Sequence, residues 1–246
     1  MTFTESKNDL LGGGLAVVAC EKTASEAHIP AFAFGQKVVE IREQAFRHCD
    51  KLKKVTIEEV DPVDAIMEDI GLKEIGSNAF YGCTALKEIL IPDTVSSIGW
   101  GAFSGCQALE RAEWGKGVYM QPYAFSGCSS LREIPTISVA REGVFADCVS
   151  LTEVRFEADI SEIDEEAFAR TGIEKVCIPA SVKRIHYLAF RSCQKLKEIT
   201  FVDTQGWCVN LHHAKAVQID VSDPIINAKR LAFADFDDGV ACWYKL

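Results

Sequence analysis

Cys208 and the pair His212-His213 put a thiol and two imidazoles close together in the chain. Thiolate and imidazole are the donor types of zinc sites. The spacing C-x-x-x-H-H is not a recognised zinc arrangement, however, and no second cysteine lies nearby. Adjacent histidines on a strand also point to opposite faces. The residues therefore favour a surface pair beside Trp207-Cys208 over a metal centre. Asp235, Asp237 and Asp238, with Gly239 after them, have the composition of a calcium loop. The alternating oxygen ligands and the closing Glu of such a loop are missing, which leaves a polar turn before a strand from Val240 to Tyr244. Gly12-Gly13-Gly14 has no Gly-Lys-Ser/Thr behind it and so forms no phosphate-binding loop. No Gly-x-Ser-x-Gly elbow is present either.

Ten cysteines are the remaining reactive groups, and His48 or His186 could serve one of them as a base. A reactive thiol must be exposed and have a lowered pKa. Six of the ten do not fit that description. Cys49, Cys83, Cys106, Cys128, Cys148 and Cys193 each stand three residues after a phenylalanine, which makes them one repeated position. Stacked coils lie about 4.8 Å apart, near enough for bridging, but equivalent side chains point the same way and a disulfide needs a particular Cβ geometry. The expectation is a reduced cysteine ladder inside the fold, each thiol packing as a small hydrophobe. No catalytic residue, metal or cofactor is expected, and the chain reads as non-enzymatic.

The repeat that places these thiols organises the whole chain. Its marks are Phe46, Phe80, Phe103, Phe125, Phe145, Phe168 and Phe190, spaced 34, 23, 22, 20, 23 and 22 residues apart. A period near 22 sustained over most of a chain means a solenoid. Each coil has an LxxIxI strand such as Leu86, Ile89 and Ile91, whose alternation sends Glu88 and Leu90 outward. Pro92 ends that strand because it has no donor for further pairing. A short VSSIG strand follows, then a short helical turn carrying Ala102 and the core plug Phe103. The strand pattern recurs at Leu52, Leu131, Leu151, Ile173 and Leu196, and it degenerates at Leu109 to Trp114.

The strings VSSIGWGAFSGCQALERAEW and VKRIHYLAFRSCQKLKEITF carry the signature V-x-x-I-x-x-x-A-F-x-x-C-x-x-L-x-x-I. In this the chain resembles the BspA-like leucine-rich repeat family. The resemblance implies a right-handed stack of β-rich coils with short helical turns. It also implies an N-terminal hairpin cap over residues 1–37, seven coils over 38–203, and a strand-rich cap over 204–246, in one continuous domain. It further implies an adhesive or structural role, since members are often bacterial or protist surface proteins and some bind host matrix proteins.

Two departures from the repeat stand out. The long first interval holds an acidic insert, 58–70, with six acids and no base. Insertions in solenoids project as loops, often on a binding face. Here the alternatives are a recognition loop for a basic partner or cation, and a solvated loop with a short amphipathic turn. The second departure, Ala169-Arg170-Thr171-Gly172, is one residue short and reads as a packing variant.

A net charge of -10 speaks against nucleic acid and anionic lipid as partners. No apolar run approaches the about 18 residues of a membrane span, so membrane insertion is not expected. Leu15-Ala16-Val17-Val18-Ala19-Cys20 superficially has the form of a lipoprotein box, but Glu5, Lys7 and Asp9 before it make a poor signal. The segment reads as a strand, and the residues favour the cytoplasm where the resemblance implies the surface. The expected function is binding another protein through the outward residues of the LxxIxI strands. These are Lys54, Thr56, Glu88, Leu90, Arg111, Glu113, Glu133, Glu153, Arg155, Lys175, Glu198 and Thr200. Cross-strand ion pairs alone would give the same mosaic, and it lacks an aromatic cluster. A rival surface is the outer turns with Trp100, Tyr119, Tyr123 and Tyr187.

Overall fold

The computed structural model describes residues 1–7, 13–186, 188–210, 217–232 and 242–245. The coils stack in parallel on two faces. On the first, the LxxIxI strands Glu26–Ile29, Lys54–Ile57, Glu88–Leu90 and Arg111–Glu113 pair in register. Bridges from Arg111 to Glu133 and from Glu153 to Lys175 carry the same line onward. It ends in the parallel pair Lys175–Ile178 and Glu198–Phe201. On the second face, Gln36–Ile41, Glu74–Ile75, Ser97–Ile98 and Tyr119–Met120 form the VxxI ladder.

Between the faces, the phenylalanines form one column. All seven are fully buried, and successive rings stack with centroids 4.7 to 5.9 Å apart and planes within 15° of parallel. The cysteine ladder runs beside it. The Cys83, Cys106, Cys128 and Cys148 thiols donate to the carbonyls of Phe46, Phe80, Phe103 and Phe125 at 3.1 to 3.2 Å. Each thiol thus ties its coil to the previous one, which gives the repeated cysteine a polar task besides filling space. Burial pushes the Cys83 thiol up to about 12 and raises those of Cys106, Cys128 and Cys193. Thiols so held are poor nucleophiles.

The expected helical turn at each phenylalanine is absent. Arg47, Cys49 and Leu52 bond back three residues, forming successive tight turns. Positions two before and two after the phenylalanine take up left-handed backbone, as at Asn78 (φ 54°) and Gly82 (φ 69°), or Tyr123 (φ 60°) and Gly127 (φ 73°). That conformation breaks a helix after each turn. The freed N–H groups cross to the next coil instead, as when Phe80 donates to Ala102 and Gly82 to Ser104.

In the short coil, the Thr171 hydroxyl donates to the Phe168 carbonyl at 2.9 Å and touches the Cys193 sulfur at 3.2 Å. Thr171 therefore fills the missing thiol's place, as a packing variant would. One coil differs from the sequence expectation. Pro135 cannot donate to a ladder, and the strand slips by one residue across it. Ile137, not Thr136, bridges to Phe156 and is buried, while Ile134 is only half buried.

Further elements are added at both ends of the stack. Thr2–Glu5 pairs antiparallel with Leu15–Ala19 as a hairpin over the first coil. At the other end, Cys242–Lys245 lies antiparallel on Arg184–Ile185 and on Trp207–Asn210. The strand-rich cap also contains a helix, Pro224–Ala232. Asp223 accepts from the Ile225 and Ile226 N–H groups at its start. The buried Asn227 amide donates to the Ile199 carbonyl at 3.1 Å, and Ser192 donates to the Ala232 carbonyl. The helix thus gives one hydrogen bond to the last coil and receives one from it, where another coil would have stood. Edges covered in this way do not template further pairing.

Candidate functional site

The twelve outward residues named from the sequence all lie on the LxxIxI face. Eleven are exposed and Glu198 is half buried. They form two rows with different chemistry. The first row runs Glu26, Lys54, Glu88, Arg111 and Glu133 in register, then Glu153, Lys175 and Glu198. Charge alternates at every registered step. Neighbouring strands sit about 4.8 Å apart, and like charges directly opposite would repel. Alternation therefore favours the stack itself. Lys175 pairs with Glu198 at 3.0 Å, and Arg155 with Glu153 at 2.9 Å. Such exposed pairs are screened by water and contribute little. Hydrogen bonding to Glu113 raises the Arg111 pKa, with smaller contributions from Glu88 and Glu133.

The second row carries less charge: His28, Thr56, Leu90, Glu113, Arg155, Cys177 and Thr200. Here the face opens into hollows. One of about 780 Å³ gathers Glu153, Arg155, Lys175, Glu198 and Thr200 around Phe156, Cys177 and Val202. Another of about 630 Å³ lies between Leu90, Glu113 and Trp114 on the coils and Ile66 on the insert. A smaller hollow of about 280 Å³ joins Arg111, Glu113 and Glu133 to Trp114 and Ile134. Lys54, Thr56 and Glu88 line none of the three.

Trp114, in the degenerate coil, points inward as strand alternation predicts. It occupies an inward position and stacks on Phe125 and Phe145 at 5.3 and 6.3 Å. Yet it is only half buried and lines two of the hollows. The face thus has an aromatic element that counting outward positions could not reveal. The signal was the degenerate coil: a tryptophan in an isoleucine slot is too long to vanish into it.

The acidic insert folds back on the face. A short helix, Pro62–Met67, starts at Asp61, whose carboxylate accepts from the Val63 N–H at 2.8 Å. Val63 and Ile66 remain 65% and 80% exposed, so no core contact explains them. Glu58, Asp61 and Asp69 are engaged within the chain. Glu58 accepts from the Ala31 N–H, and Asp69 pairs with Lys73 at 3.1 Å and Lys37 at 3.3 Å. These lysines hold the Asp69 carboxyl below its ordinary range. Among the described residues, no group of three or more His, Cys, Asp or Glu could hold a metal ion. Cys208 is buried in a strand opposite Tyr244, while His212, His213 and the acids at 235, 237 and 238 lie outside the described residues.

The outer-turn aromatics have neighbours within the chain, while Trp100 and Tyr119 stay 44% and 46% exposed. Trp100 packs edge-on against Tyr123 at 5.8 Å, and Arg141 lies 5.5 Å over the Tyr119 ring. The Tyr123 hydroxyl donates to Glu142 at 2.5 Å, which pushes the phenol up to about 12. Tyr187 lies outside the described residues. Among the described residues, no helix is long and apolar enough to cross a membrane.

Comparison with known proteins agrees with this architecture. A family model described as the BspA type leucine rich repeat region matches in 6 copies, over residues 24–68, 63–171 and 135–209. A leucine rich cell surface protein from Faecalibacterium prausnitzii has 27% identity and a TM-score of 0.62, over 83% of this chain and 53% of its own. A leucine-rich repeat protein from Eubacterium ventriosum has 27% identity and a TM-score of 0.57, over 71% and 45%. The chain thus spans about half the length of these two proteins. No curated protein matches it. The cytoplasmic location favoured by the N-terminal residues gains no support, since the first of these relatives is described as a cell surface protein.

Proposed function

The chain belongs to the BspA-type leucine-rich repeat family, and from that premise we propose that it is a non-enzymatic interaction module that binds a protein through its LxxIxI face. The observation that carries this reading is where the open space lies. The interior is filled by the phenylalanine column and the thiol ladder. The hollows of about 630 and 780 Å³ both open on the LxxIxI face, and each mixes apolar floor with charged rim. Protein interfaces have that composition: an apolar, desolvated centre inside a polar ring.

Arg155 and Lys175 are the cations of the larger hollow. Reversing both to Glu is expected to lower affinity for a protein partner at least about tenfold, since it sets like charge against complementary charge. The check is quantitative capture from the lysate and surface fraction of the source cells, and from host matrix extract, followed by titration of the captured protein. Equal affinity of the double variant would reject this face. A place at the cell surface is the second reading, favoured by the relative that bears that description. Capture of a matrix protein, and not a cell protein, would select it.

A further inference from the structure

We propose that the hollow between the insert and the coils is a docking groove for an extended peptide segment in which an aliphatic side chain is flanked by lysine or arginine. The proposal deepens the reading of the LxxIxI face as a protein-binding surface and rests on it. Its first support is the apolar floor. Leu90, Ile66 and the edge of Trp114 face a space of about 630 Å³. Leu90 is 42% exposed and Ile66 is 80% exposed. A side chain of either kind loses favourable burial free energy by standing in water, and no packing contact inside the chain accounts for Ile66.

The second support is charge. Glu59, Asp93 and Glu113 stand on the rim. Among the described residues, the one cation lining the groove, Lys73, is already held by Asp69 at 3.1 Å. Arg111, beside the groove, pairs with Glu113, so the unbalanced negative charge of the rim comes from Glu59 and Asp93. An incoming segment therefore meets a negative rim around an apolar floor, and complementarity selects a basic rim around an apolar side chain. The third support is origin. The hollow around Phe156 and the smaller one beside Ile134 lie between repeated strands, whereas this one is walled by the insert that interrupts the repeat. Asp69 pins the insert's end to Lys37 and Lys73, so the groove wall is tied to the coils.

The test uses the whole chain and three labelled peptides: a Leu-Ile pair flanked by two lysines on each side, the same pair flanked by glutamates, and a Gly-Gly pair flanked by lysines. The first is expected to bind at least about tenfold more tightly than the other two, because the complementary rim and a buried anchor are both needed. Leu90→Ser and Ile66→Ser, at positions too exposed to disturb the fold, are each expected to weaken it by about the same factor. Val202→Ser, in the hollow around Phe156, is expected to leave it unchanged. A urea midpoint equal to that of the parent chain confirms that each variant is folded. Equal binding of both lysine-flanked peptides would overturn the proposal, since bare attraction of charges would explain it. Equal binding of the glutamate peptide, or no binding by any, would overturn it as well. Loss of binding in Val202→Ser but not in Leu90→Ser would overturn the groove while leaving the face intact as a binding surface.

Discussion

Replacing Phe103 with alanine is expected to destabilise the chain by about 3–5 kcal/mol, the usual cost of a large cavity in a packed core. Phe103 is fully buried at the middle of the column, with Phe80 and Phe125 stacked at 5.1 and 4.9 Å. In a solenoid each coil is stabilised mainly by its two neighbours. Losing this ring removes contacts on both sides at once and uncouples the two halves of the array. Urea denaturation followed by far-ultraviolet circular dichroism should show a lower midpoint or a transition split in two. Phe34→Ala is the control, since that ring is 87% exposed; it should leave the midpoint unchanged. A loss below about 1 kcal/mol in Phe103→Ala would mean that the column is not what holds the coils together.

Gly172→Ala should cost about 1–3 kcal/mol, the range of overpacking in a core that cannot yield. The coil it closes is one residue short, which draws the backbone against the coil before it. A Cβ at position 172 would lie 2.4 Å from the Val149 carbonyl oxygen and 3.2 Å from that of Leu151. These obstacles are backbone atoms, so no rotamer change relieves them. The same denaturation experiment measures the effect, and an unchanged midpoint would show that the short coil has slack.

The stacking of the coils was legible in the sequence because their core is made by a few residue types at fixed spacing. Phe103, Cys106 and Leu109 fall in one order in nearly every coil, and their partners are their own equivalents one period away. Ile89 and Ile91 pointed inward and Glu88 and Leu90 outward, as strand alternation demands. What failed was local. Pro135 lacks a ladder donor, and the resulting slip put Ile137 where the period placed Thr136. The helical turns at the phenylalanines proved to be tight turns, because left-handed residues such as Asn78 and Tyr123 are not forced by residue type alone. The helix Pro224–Ala232 was missed although its start, Asp223 followed by Pro224, is a readable cap signal.

The candidate site divides in the same way. Its outward residues follow from alternation and were legible. Their grouping into hollows depends on where the insert lies against the coils and on how far Trp114 reaches past its slot. Neither follows from periodicity, since both sit where the period breaks. The charged row was legible as residues and misleading as a signal. Glu88 opposite Lys54 and Arg111 satisfies the stack itself and need not address a partner.

The central claim is that the LxxIxI face is the surface a partner meets. A photo-crosslinking residue placed singly at Leu90, at Thr200 and at Tyr119 in the otherwise unchanged chain tests it most directly. The first two positions lie on the LxxIxI face and the third on the VxxI strands. After irradiation in the chain's own cellular setting, Leu90 and Thr200 should capture one and the same protein, identified by mass spectrometry, while Tyr119 captures none. Capture from Tyr119 alone would contradict the account and move the interface to the opposite strands.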